Sequence, residues 1–222
     1  MGRKILAEKE EFEKAVGIKG TFSGSFLSLL KFVISLILLP LVTGVSKGFF
    51  LGIIKQPQYI RNNFIFAVGL YLIVHLFILA PKNLYDLGQR IIGRLFSFFV
   101  PLRRVMYYSL SFYSSLFFIL FLIFRALFGY NDTIGYFMFL ISFSAVMHLV
   151  ITSEYLKSES QSAIKGDYFL SLTFVYLFGI ILFCGFLNVM AKNFSFLEPI
   201  QYGYKFFVDT HVTIWKQFFV VR

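Results

Sequence analysis

The chain reads as an all-α integral membrane protein with five transmembrane helices and amphipathic interfacial helices at the N-terminus, between spans two and three, and at the C-terminus. Three observations predict this. Of 222 residues, 58% are hydrophobic and 21% aromatic, while only 14% are charged; a soluble domain carries about 25% charged residues. The apolar residues are grouped into five charge-poor runs of span length. Between the second and third runs lies 81–104, PKNLYDLGQRIIGRLFSFFVPLRR, with five of the 21 Lys and Arg residues. There Leu84, Leu87, Ile91, Leu95, Phe98 and Leu102 recur at helical spacing opposite Arg90 and Arg94, as in a basic helix resting on a membrane surface. Arg90, Arg94, Arg103 and Arg104 are the candidate contacts to anionic lipid head groups.

The elements follow in chain order. Residues 1–20 mix Ile5, Leu6, Phe12 and Val16 with acidic and basic residues, the pattern of an interfacial helix. The stretch lacks the apolar core of a secretory signal. Span one is 26–45, with Lys31 near its start, able to snorkel to the interface, and Pro40 as a possible kink. Gly44, Gly48 and Gly52 then repeat every four residues, so they share a helix face and predict close helix packing. Lys47 interrupts this stripe and assigns part of it to the interface.

Span two is 64–80 and contains His75. Span three, 105–124, is rich in Tyr and Ser, including Ser111. Gly129, Asn131 and Asp132 mark a tight turn. Span four is 134–152, with Ser144 and His148, and a polar loop at 153–167 precedes span five at 168–191. The tail carries Lys205, Asp209, His211 and Lys216, with Phe207, His211, Ile214, Trp215 and Phe218 on one face. Those charges make it too polar to span, and 205–221 is expected at the interface.

Five spans place the termini on opposite sides. With the N-terminus cytoplasmic, the cytoplasmic segments hold twelve of the 21 Lys and Arg residues and the other side eight, Lys31 being left to its span. The positive-inside rule therefore favours a cytoplasmic N-terminus. In this topology Lys31, His75, Ser111 and His148 lie in one polar layer on the order of 6–9 Å below the cytoplasmic boundary, and Ser144, on the same helix face as His148, joins it.

That layer is the candidate functional site, because intramembrane ionisable groups are costly. It can bind a lipid head group or pass protons; it can equally hold helices together through one hydrogen bond per histidine. The five expected spans contain no Asp or Glu, the usual partners in proton relays. Two histidines at one depth have the geometry for haem, but no other haem cue accompanies them. No zinc motif, Gly-x-Ser-x-Gly elbow or phosphate-binding loop is present in the sequence, so neither an enzyme nor a cofactor is expected. The single cysteine, Cys184, lies in an apolar run. The net charge of +10 is spread along loops beside apolar runs, which argues for lipid contact and against nucleic acid.

Five spans, a cytoplasmic N-terminus and the basic amphipathic segment together resemble the Yip-type membrane proteins, small five-span proteins of membrane traffic. HLVITSEYLKSESQSAIKGDYFLSLTFVYL is similar to that family's link between its last two spans, with Ala163 ahead of the final run. The Asp-Leu-Tyr-Gly-Pro motif of its eukaryotic members is absent, and no functional residue carries over. The expected function is that of a non-enzymatic scaffold or accessory subunit of a larger membrane complex, with anionic lipids and other membrane subunits as partners. The alternative is a small transporter or channel working through the layer around His75 and His148.

Overall fold

The computed structural model describes residues 21–77, 82–97, 108–128, 133–159, 166–191 and 193–219. The helix expected at 1–20, Arg103 and Arg104 lie outside the described residues. Seven α-helices and no strand occur among the described residues: α1 (Thr21–Ile54), α2 (Gln58–Phe77), α3 (Lys82–Leu95), α4 (Phe112–Phe128), α5 (Ile134–Glu159), α6 (Gly166–Met190) and α7 (Leu197–Phe219). Four of them, α1, α2, α5 and α6, are long and apolar enough to cross a membrane, and α4 is a shorter apolar helix.

α1 runs past the expected end of its span. Pro40 does not break it, although Pro cannot donate the usual backbone bond. The hydroxyls of Thr43 and Ser46 donate to Leu39 O and Val42 O in the following turn. The helix stops at Lys55–Pro57, where Gln56 Nε2 caps Gly52 O at 3.1 Å. Pro57 then starts α2, its carbonyl accepting from the Ile60 and Arg61 amides.

Contacts along the chain set the directions. Phe49 and Phe64 meet across the α1–α2 hairpin. α6 runs in the same direction as α1: Gly166 N donates to Ser28 Oγ, and Phe49 meets Phe183 further along. α5 runs with α2, from Gly135 beside Asn63 to Glu154 beside His75. α4 is antiparallel to α5, with Ser114 against Ser144 and Phe121 against Phe137. One end of the bundle therefore gathers the start of α1, the end of α2, α3, the start of α4, the end of α5 and the start of α6. We term it the α3 end.

The core is aromatic. Phe49 packs edge-on with Phe64, Phe183 and Phe194, and Phe64 with Phe183. Such pairs contribute about 0.5–1.5 kcal/mol beyond their buried area.

Three elements differ from the sequence expectation. α5 continues to Glu159 through residues expected to be loop. This adds Glu154, just beyond the expected span, to the same helix as His148. α3 buries Tyr85, Gly88, Gln89 and Ile92, while Leu84, Leu87 and Leu95 of the expected apolar face are exposed. Gly88 explains the rotation: a Cβ there would lie 3.1 Å from Phe112 and Tyr113 atoms, so α4 approaches α3 on its small-residue side. α7 begins at Leu197 rather than 205, and its first half runs back antiparallel along α1 instead of lying across the end of the bundle.

Candidate functional site

All three glycines of the stripe face the C-terminal segment. A Cβ on Gly44 would meet Phe206 Cβ at 2.8 Å and Gly203 Cα at 2.9 Å. One on Gly48 would meet Pro199 Cα at 2.8 Å, and one on Gly52 the Phe194 ring at 2.7 Å. Gly203 returns the contact against Val45. Two backbones thus approach with no side chain between them, the geometry that small residues permit. Lys47 Nζ lies 5.7 Å over the Tyr202 ring, and Lys55 pairs with Glu198 at 2.9 Å. A cleft of about 410 Å³ between α1 and α7 is bordered by Lys55, Glu198, Gln201 and Lys205.

At the α3 end, the predicted layer is divided among three sites. Lys31 pairs with Asp167 at the start of α6. His75 Nε2 lies 3.4 Å from Glu154 Oε1, and Lys82 Nζ lies 3.2 Å from Glu154 Oε2. The layer expected without a carboxylate therefore has one beside His75, because helical extension of α5 brings Glu154 round to α2. His148, Ser111 and Ser144 form the third group, between α3, α4 and α5.

His148 is 4% exposed. Its Nδ1 lies 3.3 Å from Gln89 Nε2 and its Nε2 3.0 Å from Tyr108 O. The carbonyl accepts only, so Nε2 carries the hydrogen and Nδ1 accepts from the amide. Both ring nitrogens are occupied. Tyr85 stacks on the imidazole and its hydroxyl lies 2.8 Å from Thr152 Oγ1. On α3's outer side, Tyr155 OH donates to Asp86 Oδ1 and Tyr113 OH to Leu84 O, which clamps α3 to α5 and α4.

Ser111 caps α4, accepting from the Ser114 amide at 3.4 Å. Its hydroxyl lies 2.7 Å from Ser114 Oγ, which lies 3.0 Å from Ser144 Oγ. Ser144 Oγ donates to Leu140 O at 2.8 Å. The hydroxyl chain thus ends on a main-chain carbonyl, which cannot take a proton onward.

Beside these serines is a cavity of about 170 Å³. Ser109, Ser111, Ser114, Ser142 and His148 form its polar wall, and Phe49, Phe64, Phe183 and Phe186 line the rest. Among the described residues no group of three or more His, Cys, Asp or Glu could hold a metal ion. Arg90 and Arg94 are exposed on the outer face of α3, available to solvent or head groups.

Sequence reading missed Gln89, Glu154 and the α7 contacts. Gln89 is 1% exposed and sits at the spacing of the buried face, Tyr85, Gly88, Gln89 and Ile92. That spacing is visible in the sequence, but the leucines beside it make a stronger apolar pattern. Comparison with protein-family models, with curated proteins and with solved structures finds no match.

Proposed function

We propose that this protein is a non-enzymatic multi-span membrane protein that works as a scaffold or accessory subunit of a larger membrane assembly. The observation that carries this reading is the closure of the cluster around His148, Ser111, Ser114 and Ser144 on itself. Both His148 nitrogens are bonded within the bundle, and the serine chain ends on Leu140 O. Interhelical bonds of this kind hold helices in register. Within this cluster His148 has no ring nitrogen free to hand on a proton.

In this reading α1, α2, α4, α5 and α6 cross the membrane alternately, with the basic α3 end cytoplasmic. α7 returns beside α1 as a sixth crossing, which replaces the interfacial position expected for 205–221. Anionic lipid head groups meet Arg90 and Arg94 at the α3 end. The topology is tested by single cysteines in a Cys184→Ala background. Ser158→Cys and Gln217→Cys are expected to react only with reagent on the cytoplasmic side, and Gln58→Cys only on the other. Gln217→Cys reacting from the same side as Gln58→Cys would remove the sixth crossing.

The cavity beside Ser111 and His148 favours a second reading, a small transporter or channel. Replacing both His75 and His148 by Gln separates the two. Gln keeps hydrogen-bonding capacity and cannot titrate near neutral pH. The double variant is expected to assemble normally and to complement cells lacking the gene. A folded, assembled variant that fails to complement would favour transport and end the scaffold reading.

A further inference from the structure

The cavity beside the serines has a lining that specifies a ligand. α1, α2, α5 and α6 all border it, as does the stretch leading into α4. Among the described residues that line it there is no Lys, Arg, Asp or Glu. His148 has both ring nitrogens bonded. A charged group would enter without a counter-charge, which burial strongly disfavours. The hydroxyls of the polar wall differ in what they have left to offer. Ser142 Oγ donates to Met138 O and Ser114 Oγ to Ile141 O. Ser111 Oγ has Ser114 Oγ and Ser144 O within reach. Their hydrogens are spent inside the bundle. Ser109 is different: it is 8% exposed, lines the cavity, and its hydroxyl has no partner among the described residues. A buried hydroxyl left unbonded is costly. Phe50 lines the same cavity and is 51% exposed, so the rim reaches the surface of the bundle.

We propose that this cavity binds the hydroxyl end of a neutral chain lipid, a long-chain alcohol, with the hydroxyl on Ser109 and the chain leaving at the rim. The alcohol oxygen accepts from Ser109 Oγ, and its own hydrogen finds acceptors in wall oxygens whose hydrogens are spent. The rings of Phe64, Phe183 and Phe186 surround the first carbons of the chain. Few polar groups in a mostly apolar lining is the usual composition of a small-molecule site. The volume fits a chain end: the cavity is about 170 Å³, and an apolar cavity of ~150 Å³ takes benzene. A carboxylate of the same length would bring an unpaired charge. A hydrocarbon would leave the Ser109 hydroxyl unbonded. The alcohol avoids both costs. The choice of a lipid rests on the reading of the surrounding helices as membrane crossings, since α1, α2, α5 and α6 are long and apolar enough for that.

The test uses the full-length chain in mild detergent and three photoreactive probes of one chain length, each carrying a diazirine. One ends in a hydroxyl, one in a carboxylate and one in a methyl group, and all are compared at equal mole fraction in the detergent. Mass spectrometry locates the attached probe. The alcohol is expected to label 145–149 and 179–183 saturably, and unlabelled 1-octanol to compete. Ser109→Ala removes one oxygen and no carbon. It is expected to lower alcohol labelling about three- to tenfold, the worth of one hydrogen bond, and to leave methyl-probe labelling unchanged. Ala145→Leu adds carbon to the cavity wall and is expected to lower labelling by both. Should Ala145→Leu melt below wild type, Ser109→Ala decides alone. Labelling that does not saturate, or that spreads over the outer helix faces, overturns the proposal, and is the result a water-filled cavity would give. So does carboxylate labelling equal to the alcohol's, or a Ser109→Ala protein that labels as wild type does. Benzyl alcohol competing more strongly than 1-octanol would overturn the assignment to a chain. Accessibility of Ser158→Cys and Gln58→Cys reports the crossings separately, so failure of the membrane reading is distinguishable from failure of the site.

Discussion

Replacing Phe49 by Ala is expected to destabilise the bundle by about 3 kcal/mol, the low end for a buried Phe because lipid also solvates the atoms removed. Phe49 is 5% exposed and touches four other rings, those of Phe50, Phe64, Phe183 and Phe194, with centroids 5.6–6.5 Å away. It ties α1 to α2, to α6 and to the turn before α7. It also borders the cavity beside the serines, so its loss enlarges a space that neighbouring rings cannot fill. Phe174 of α6 is 56% exposed and provides the control. Phe174→Ala is expected to cost no more than about 0.5 kcal/mol, as for a surface site. Thermal unfolding in detergent, followed by size-exclusion chromatography, measures both. Equal losses from the two substitutions would show that the aromatic cluster does not hold the helices together.

Gly48→Leu is expected to separate α7 from α1. The new Cβ alone would lie 2.8 Å from Pro199 Cα and 2.9 Å from Tyr202 Cβ. Pro199 Cα is backbone and cannot rotate away, so the helices must part. Overpacking of this kind costs about 1–3 kcal/mol. The Lys55–Glu198 pair contributes too little to hold the gap closed, since exposed ion pairs are typically worth about 0–1 kcal/mol. Gly185 makes the comparison, because a Cβ there meets nothing within 4 Å. Gly185→Ala is expected to unfold at or above the wild-type temperature. Proteolysis reads the same event: a parted α7 is cut in the 191–197 link at lower protease concentration. A Gly48→Leu protein with wild-type melting and proteolysis would mean that the α1–α7 contact carries no stability.

Much of the candidate site was legible one residue at a time. His148, Ser111 and Ser144 stand out as polar groups in apolar runs, and they meet in one cluster. Their joint role was not legible, because it depends on Gln89 and on the Tyr108 carbonyl. A glutamine in an amphipathic helix reads as solvent-facing until the helix is seen to rotate. His75 shows the same limit. Its partner Glu154 looked like loop, and only the continuation of α5 carries that carboxylate to α2.

By itself the sequence determined the all-helical character and the approximate positions of the helices long and apolar enough to cross a membrane. These follow from the composition of each segment, and composition is local. It also marked Gly44, Gly48 and Gly52 as a face for close approach, because three absent side chains in register leave a groove. Which helix fills that groove was decided only in the tertiary structure. α7 is too polar by composition to be taken for a neighbour of α1 along its length. It packs there because Pro199 and Gly203 present bare backbone at the same four-residue step, and fit between backbones depends on register between segments more than 140 residues apart. Hydropathy averages each segment separately and carries no information about that register.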